Sequence, residues 1–139
     1  MTLFLDACAL IYRFEGNAGF RLATRTLLSQ LSAGSAATVV AVSRLSLLEC
    51  RVKPLREGDL TLLKRYDEFF AACQIVELSA SVVETATTLR ARYALKTPDA
   101  LQAAAALSLA PEVHFVTADQ VFAKVVGLDV RLIQPPSSE

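Results

Sequence analysis

The chain has 139 residues, 53% of them hydrophobic and 20% charged, with a formal net charge of zero. A length of this order fits one domain that buries roughly 70% of its unfolded surface, so folding requires neither a disulfide nor a structural metal. Zero net charge excludes a global basic field that would draw in a polyanion, and any nucleic-acid contact has to come from a local patch.

The first apolar run, Thr2 to Leu5, is too short for a helix and reads as a buried strand that ends at Asp6. A short helix through Ala9 to Phe14 follows, then a break at Gly16-Asn17-Ala18-Gly19. Phe20, Ala23, Leu27, Leu28 and Leu31 recur at helical spacing, and Gly34 marks the end of that helix. Ala37 to Val42 is a second buried strand. Ser43 is placed to cap the next helix, and Pro54 is expected to stop it. Leu62, Leu63, Tyr66, Phe69, Phe70 and Cys73 form the apolar stripe of another helix, and Ile75 to Leu78 is a third strand. Ser81 with Glu84 fits a capping box for a helix carrying Val82, Ala86, Leu89 and Tyr93. Thr97 as cap and Pro98 at the first position open an alanine-rich helix to about Leu109. Val113 to Thr117 is a fourth strand, Asp119 to Val126 a helix, and Val130 to Ile133 a fifth strand. One domain is expected over residues 1–134, with a flexible tail at 135–139.

Short apolar strands separated by helices imply a parallel sheet covered on both faces, a three-layer α/β/α sandwich. In such folds ligands bind outside the carboxyl ends of the strands. The mean hydropathy of +0.41 is high for a soluble domain and suggests both a complete core and a surface covered by a partner. Cys8, Cys50 and Cys73 are odd in number and lack paired spacing, so they read as reduced thiols inside the cell. Met1 runs straight into a strand without a charged leader, and no stretch of about 18 uncharged apolar residues occurs; the expected compartment is the cytoplasm, with no membrane partner.

Placed on this scaffold, the acids gather. Asp6 ends the first strand and Asp119 lies just past the fourth. Asp99 sits in the first turn of its helix. Glu49 lies inside the helix after strand two, beside a face traced by Leu45, Leu48 and Val52. Carboxylates that converge without a histidine or thiolate make a hard oxygen site, suited to Mg²⁺ or Mn²⁺ rather than zinc. The chemistry implied is phosphodiester hydrolysis at a metal-activated water. Asp119 also stands where it would cap the helix after strand four.

The residues LFLDACALI around Asp6, SRLSLLE ending at Glu49, LRARYALKTPDALQAAAAL around Asp99 and FVTADQVF around Asp119 resemble the PIN-domain family, of the kind that includes VapC toxins. The resemblance implies a five-stranded parallel sheet ordered 3-2-1-4-5. It implies that Asp6, Glu49 and Asp99 bind the metal, directly or through water, with Asp119 as a more variable fourth acid and Thr117 beside it. It further implies ribonuclease activity, a homodimer, and an antitoxin whose C-terminal segment wraps the toxin and sets an arginine against the acidic pocket. Two positions depart from the pattern: Cys8 stands where a polar Ser, Thr or Asn is common, and Gln102 where many relatives carry histidine. The sole histidine, His114, reads as structural.

Arg44, Arg51, Lys53 and Arg56 cluster around the Glu49 helix, and Arg90, Arg92 and Lys96 lead into Asp99. Of these, Arg44 and Lys96 are the expected phosphate contacts, since each lies within a turn or two of a proposed ligand. Tyr12, Tyr66 and Tyr93 read as core or interface. The segments Leu10 to Phe14 and Leu62 to Phe70 are candidates for an antitoxin groove. The expected activity is an Mg²⁺- or Mn²⁺-dependent endoribonuclease acting as a toxin. The alternative is a non-catalytic module that binds RNA or a partner through the same crevice.

Overall fold

The computed structural model describes residues 1–35, 37–109 and 111–134; the expected flexible tail, 135–139, lies outside the described residues. Strands β1 (Thr2–Leu5), β2 (Val39–Ser43), β3 (Gln74–Val76), β4 (Val113–Thr117) and β5 (Asp129–Leu132) form one parallel sheet in the order β3-β2-β1-β4-β5. This is the strand order that the family resemblance implied. Helices α1 (Ala7–Glu15), α2 (Ala18–Ser32), α3 (Arg44–Glu57), α4 (Leu60–Ala71), α5 (Ala80–Tyr93) and α6 (Thr97–Leu107) cover both faces, and a 3₁₀ turn spans Gln120–Lys124.

Alternation along the strands builds the two cores. Phe4, Ala41 and Phe115 point toward α5 and α6, where Phe4 stacks on Phe115 at 5.5 Å. Leu3, Leu5, Val42 and Val116 point the other way, toward Leu10, Leu47, Tyr66 and Phe70. Strands buried on both faces explain the unbroken apolar runs in the sequence. All three cysteines are free thiols. Among the described residues no helix is long and apolar enough to cross a membrane.

Several boundaries differ from the expectation because a different side chain wins each cap. Helix α1 starts at Ala7 rather than Ala9, since the Asp6 carboxylate accepts from the Ala9 N–H at 2.9 Å. The break before α2 shrinks to Gly16 and Asn17: Asn17 caps α2, and a Cβ on Gly16 would stand 2.6 Å from the Tyr12 carbonyl. Pro54 does not stop α3 but lies buried in its last turns, removing a single helical hydrogen bond. The stop is Gly58, whose φ of +70° is left-handed. Cys73 falls beyond α4, and its thiol donates to the Phe69 carbonyl.

Helix α5 is capped by Ser79, which accepts from the Val82 N–H at 3.2 Å, not by Ser81. Helix α6 has Lys96 at its N-cap position, without a side-chain cap, and Thr97, whose hydroxyl accepts from Arg90 at 2.8 Å, is its first residue. It ends at Leu107 rather than Leu109. The segment after Asp119 closes as a 3₁₀ turn ending at Lys124, not as a helix to Val126. Strands β2 and β3 are each displaced by one or two residues from their expected ranges, and β5 by one.

The left-handed stop of α3 has a direct consequence. Nothing obstructs a Cβ at Gly58, so Gly58→Ala should cost only the backbone strain, about 1–2 kcal/mol. Urea denaturation checks this, and an unchanged midpoint would contradict it.

Candidate active site

Asp6 sits where β1 ends, between its two parallel neighbours, and only 4% of its surface is exposed. Its Oδ1 accepts from the Ala9 N–H at 2.9 Å, and its Oδ2 accepts from the Thr117 hydroxyl at 2.6 Å. Thr117 ends β4, is fully buried, and its Oγ1 in turn accepts from the Asp119 N–H at 3.1 Å. Asp119 caps the 3₁₀ turn by accepting from Val121 at 2.9 Å and is itself exposed. Burial raises the Asp6 pKa to about 7; the fields of Asp99 and Asp119 add to this, and the two hydrogen bonds oppose it.

Glu49 reaches the same place from α3 by an unexpected route. Leu48 and Val52, expected to face inward, are 63% and 50% exposed, while Ser46, Leu47, Cys50 and Pro54 are buried. The helix is therefore turned by about one position from its expected orientation. Glu49 stays at the edge of the buried face, half-buried, three residues after Ser46. Its Oε1 accepts from the Gln102 amide at 3.3 Å. Burial raises its pKa, Asp99 adds to that, and the Gln102 hydrogen bond opposes it.

Gln102, which is 3% exposed, holds three polar groups at once. Its Nε2 donates to Ser46 Oγ at 2.9 Å and to Glu49, and its Oε1 accepts from Ser43 Oγ at 3.3 Å. An ionised Glu49 only accepts, which fixes the amide orientation. Ser43 accordingly makes no side-chain cap at α3, contrary to expectation. A glutamine at this position looked like a missing histidine in the sequence and is instead the centre of a buried network. Ser43, Ser46 and Glu49, a polar residue every third position on the inner side of α3, were the signal for it.

Asp99, in the first turn of α6, lies one turn before Gln102. Its pKa is raised by burial and by Asp119, against the opposing charge of Lys96. Asp6, Glu49, Asp99 and Asp119 all line one cleft of about 300 Å³, together with Cys8, Tyr12 and Gln102. Among the described residues no three acid, histidine or cysteine side chains are close enough to chelate an ion outright. The carboxylates surround the cleft without converging on one point. Cys8 is held as a neutral thiol, its pKa pushed up to about 11 by burial and by the Asp6 field.

Neither expected phosphate contact lines this cleft. Arg44 is engaged by Glu77 in a two-pronged ion pair, with Nε donating at 2.9 Å. Lys96 is exposed at the start of α6, where its charge offsets the field on Asp99. Arg51 pairs with Asp67 and Lys53 with Glu15. Tyr66 is buried and donates to Glu15, and the Tyr93 hydroxyl accepts from the Val126 N–H, as core residues would. Tyr12 differs, since it lines the cleft and stacks on Phe20 at 4.6 Å. His114 pairs with Asp129 at 2.7 Å near the start of β4, at the opposite end of the sheet from the cleft.

The family model described as PIN domain matches residues 3–128. No curated protein matches the sequence. Among solved structures, VapBC2 from Rickettsia felis, bound to a DNA fragment from its promoter, superposes with a TM-score of 0.76 at 17% identity, covering 96% of this chain and 100% of that one. A toxin–antitoxin complex from Klebsiella pneumoniae gives 0.71 at 23% identity, covering 97% and 99%. VapBC-5 from Mycobacterium tuberculosis gives 0.61 at 22%, covering 96% and 98%. At these identities the likeness is one of fold.

Two outcomes follow from the geometry. Asp6 holds its proton more tightly in the folded chain than in the unfolded one. Its contribution to stability is therefore largest below pH 3.8 and is lost as pH rises toward about 7. Glu49 and Asp99, also raised, act in the same sense. Without divalent ions the melting temperature should fall across that window, and less steeply in Asp6→Ala; equal slopes in both proteins would contradict the burial account. Gln102→Leu leaves Ser43, Ser46 and Glu49 without their partner and should destabilise the fold by about 1–3 kcal/mol. Chemical denaturation would show it, and a neutral substitution would mean that the network contributes nothing.

Proposed function

The chain belongs to the PIN-domain family, and from that premise we propose that it is a metal-dependent endoribonuclease serving as the toxin of a toxin–antitoxin pair. The observation that carries this reading is the cleft itself. Four carboxylates from four separate segments line it, and no Lys or Arg does. The four acids are coupled: Asp99 raises the pKa of both Asp6 and Glu49, and Asp119 raises those of Asp6 and Asp99. Such a ring is repulsive on its own and calls for a cation.

The donors present fit Mg²⁺ or Mn²⁺. They are carboxylate oxygens, and the one sulfur in the cleft is a neutral thiol. Mg²⁺ keeps several of its waters and uses few protein ligands directly, so acids set around a cleft suit it better than a tight cage. Asp6, Glu49 and Asp99 would hold the ion, with Asp119 at the rim. When bound, the ion polarises a phosphoryl oxygen and lowers the pKa of a water. The protein's own part is orientation: Thr117 fixes one oxygen of Asp6, and Gln102 fixes one oxygen of Glu49.

The toxin role is supported by the toxin–antitoxin complexes among the structures of like fold. An apolar groove between α3 and α4, lined by Leu47, Leu48, Val52, Leu55 and Leu63, is the place we assign to an antitoxin segment. Leu48 and Leu55, 63% and 66% exposed, form its wall, whereas Leu10 of the other expected segment is fully buried.

Cleavage of RNA should require added Mn²⁺ or Mg²⁺, stop with EDTA, and fall by at least about 100-fold in Asp6→Ala and Asp99→Asn. Gel analysis of end-labelled RNA measures this. Wild type and both variants leaving several RNAs equally intact would leave the non-catalytic module as the reading.

A further inference from the structure

Among the described residues, five lysine and arginine side chains are tied to carboxylates: Arg44, Arg51, Lys53, Lys64 and Arg131. Four arginines on α1, α2 and α4 behave otherwise. The guanidinium groups of Arg13 and Arg65 both lie over the Phe14 ring, at 5.5 and 5.3 Å from its centroid. Arg21 and Arg25 are one turn apart on α2 and so share a face. Arg21, Arg25 and Arg65 are exposed and Arg13 half-exposed. Among the described residues none of the four makes an ion pair. The nearby Glu15 is already engaged by Tyr66 and Lys53.

Arg13 senses the charge of the other three. Burial lowers the pKa of Arg13, and the fields of Arg25, Arg21 and Arg65 lower it further, with no acid opposing them. The Phe14 ring that both contact offsets part of this repulsion for Arg13 and Arg65. The remainder is a local positive surface on a chain of zero net charge. None of the four lines the acidic cleft; their link to it is the Tyr12–Phe20 stack. Tyr12 lines the cleft and stacks on Phe20, Arg13 follows Tyr12 in the chain, and Arg21 follows Phe20.

We propose that Arg13, Arg21, Arg25 and Arg65 form the surface that carries the phosphate backbone of an RNA up to the carboxylate cleft. Guanidinium forks suit phosphate oxygens, and contacts of this kind position a strand without reading its sequence. A lone acidic cleft repels RNA, and a neighbouring cationic surface gives the strand somewhere to bind while one phosphodiester reaches the acids. The proposal rests on the ribonuclease reading but assigns different residues from those of the metal site.

The test uses the full chain carrying Asp99→Asn, so that RNA is retained intact. Fluorescence anisotropy follows a labelled single-stranded RNA of about 20 nucleotides over a salt series. Arg21→Gln with Arg25→Gln should weaken binding roughly ten-fold and lower the log–log salt slope by about 1.4, at about 0.7 per lost phosphate contact. Arg21→Lys with Arg25→Lys keeps the charge and should keep the slope. The glutamine pair should melt at or above its parent, because repulsion is relieved. An unchanged slope in the glutamine pair overturns the proposal. So does a polyglutamate peptide that displaces the RNA as well as unlabelled RNA does, since the surface would then be one for an acidic polypeptide. Cleavage by the Asp99 protein with Mn²⁺ separates the two readings: RNA cut, but bound equally well by the glutamine pair, removes only this assignment.

Discussion

A carboxylate that is almost wholly excluded from water has to be held at both oxygens, and the site depends on how Asp6 meets that requirement. One oxygen closes the first turn of α1 and the other takes the Thr117 hydroxyl from the neighbouring central strand. Thr117 then supports Asp119 through its Oγ1, and its carbonyl accepts from the Ile133 N–H at 2.8 Å. A chain of hydrogen bonds thus runs across the carboxyl ends of β1 and β4 to the end of β5. The position of two acids and the start of α1 follow from it. Breaking the Thr117 contact would leave a buried acid with one partner, which costs more than the hydrogen bond itself contributes.

The other half of the cleft is built on the same logic with a different residue. Gln102 lies beneath Asp99 on α6 and clamps Glu49 of α3, with Ser43 and Ser46 completing its valence. A neutral amide at this point lets an acid approach α6 without bringing a competing cation into the cleft. The two networks share no atoms, yet they hold carboxylates that sense each other through Asp99. The cleft is in this sense preorganised by polar contacts that lie below it, not by contacts among the acids.

The parallel sheet was legible in the apolar runs, its strand order only through the family resemblance, and the acids that line one cleft were all singled out from the sequence. Strands buried on both faces leave continuous apolar runs, and Asp6 and Asp119, placed just after two of them, lie at the carboxyl edge, whereas Glu49 and Asp99 reach it from helices. What was not legible depends on competition between near-equal local choices. Ser79 and Ser81 are both capping residues, and only packing of Val82 and Ala86 into the core decides for Ser79. The face of α3 was misassigned because leucine and valine also line the exposed groove with α4, so hydrophobic spacing pointed outward. Arg44 is close in sequence to Glu49 but is drawn off by Glu77 from beyond β3, a pairing that only the fold creates.

Charge balance shows a related effect. Zero net charge excludes a global field, and that conclusion stands, but it is an average over a surface on which the signs are separated. Acids without cations line the cleft, and arginines without acids lie beyond the Tyr12–Phe20 stack. Each cluster is unfavourable alone, and folding keeps them apart instead of pairing them. On the function proposed above, such a separation of charge would suit a ligand that needs both signs, a polyanion whose backbone would meet the arginines and one of whose phosphates would meet a cation held by the acids.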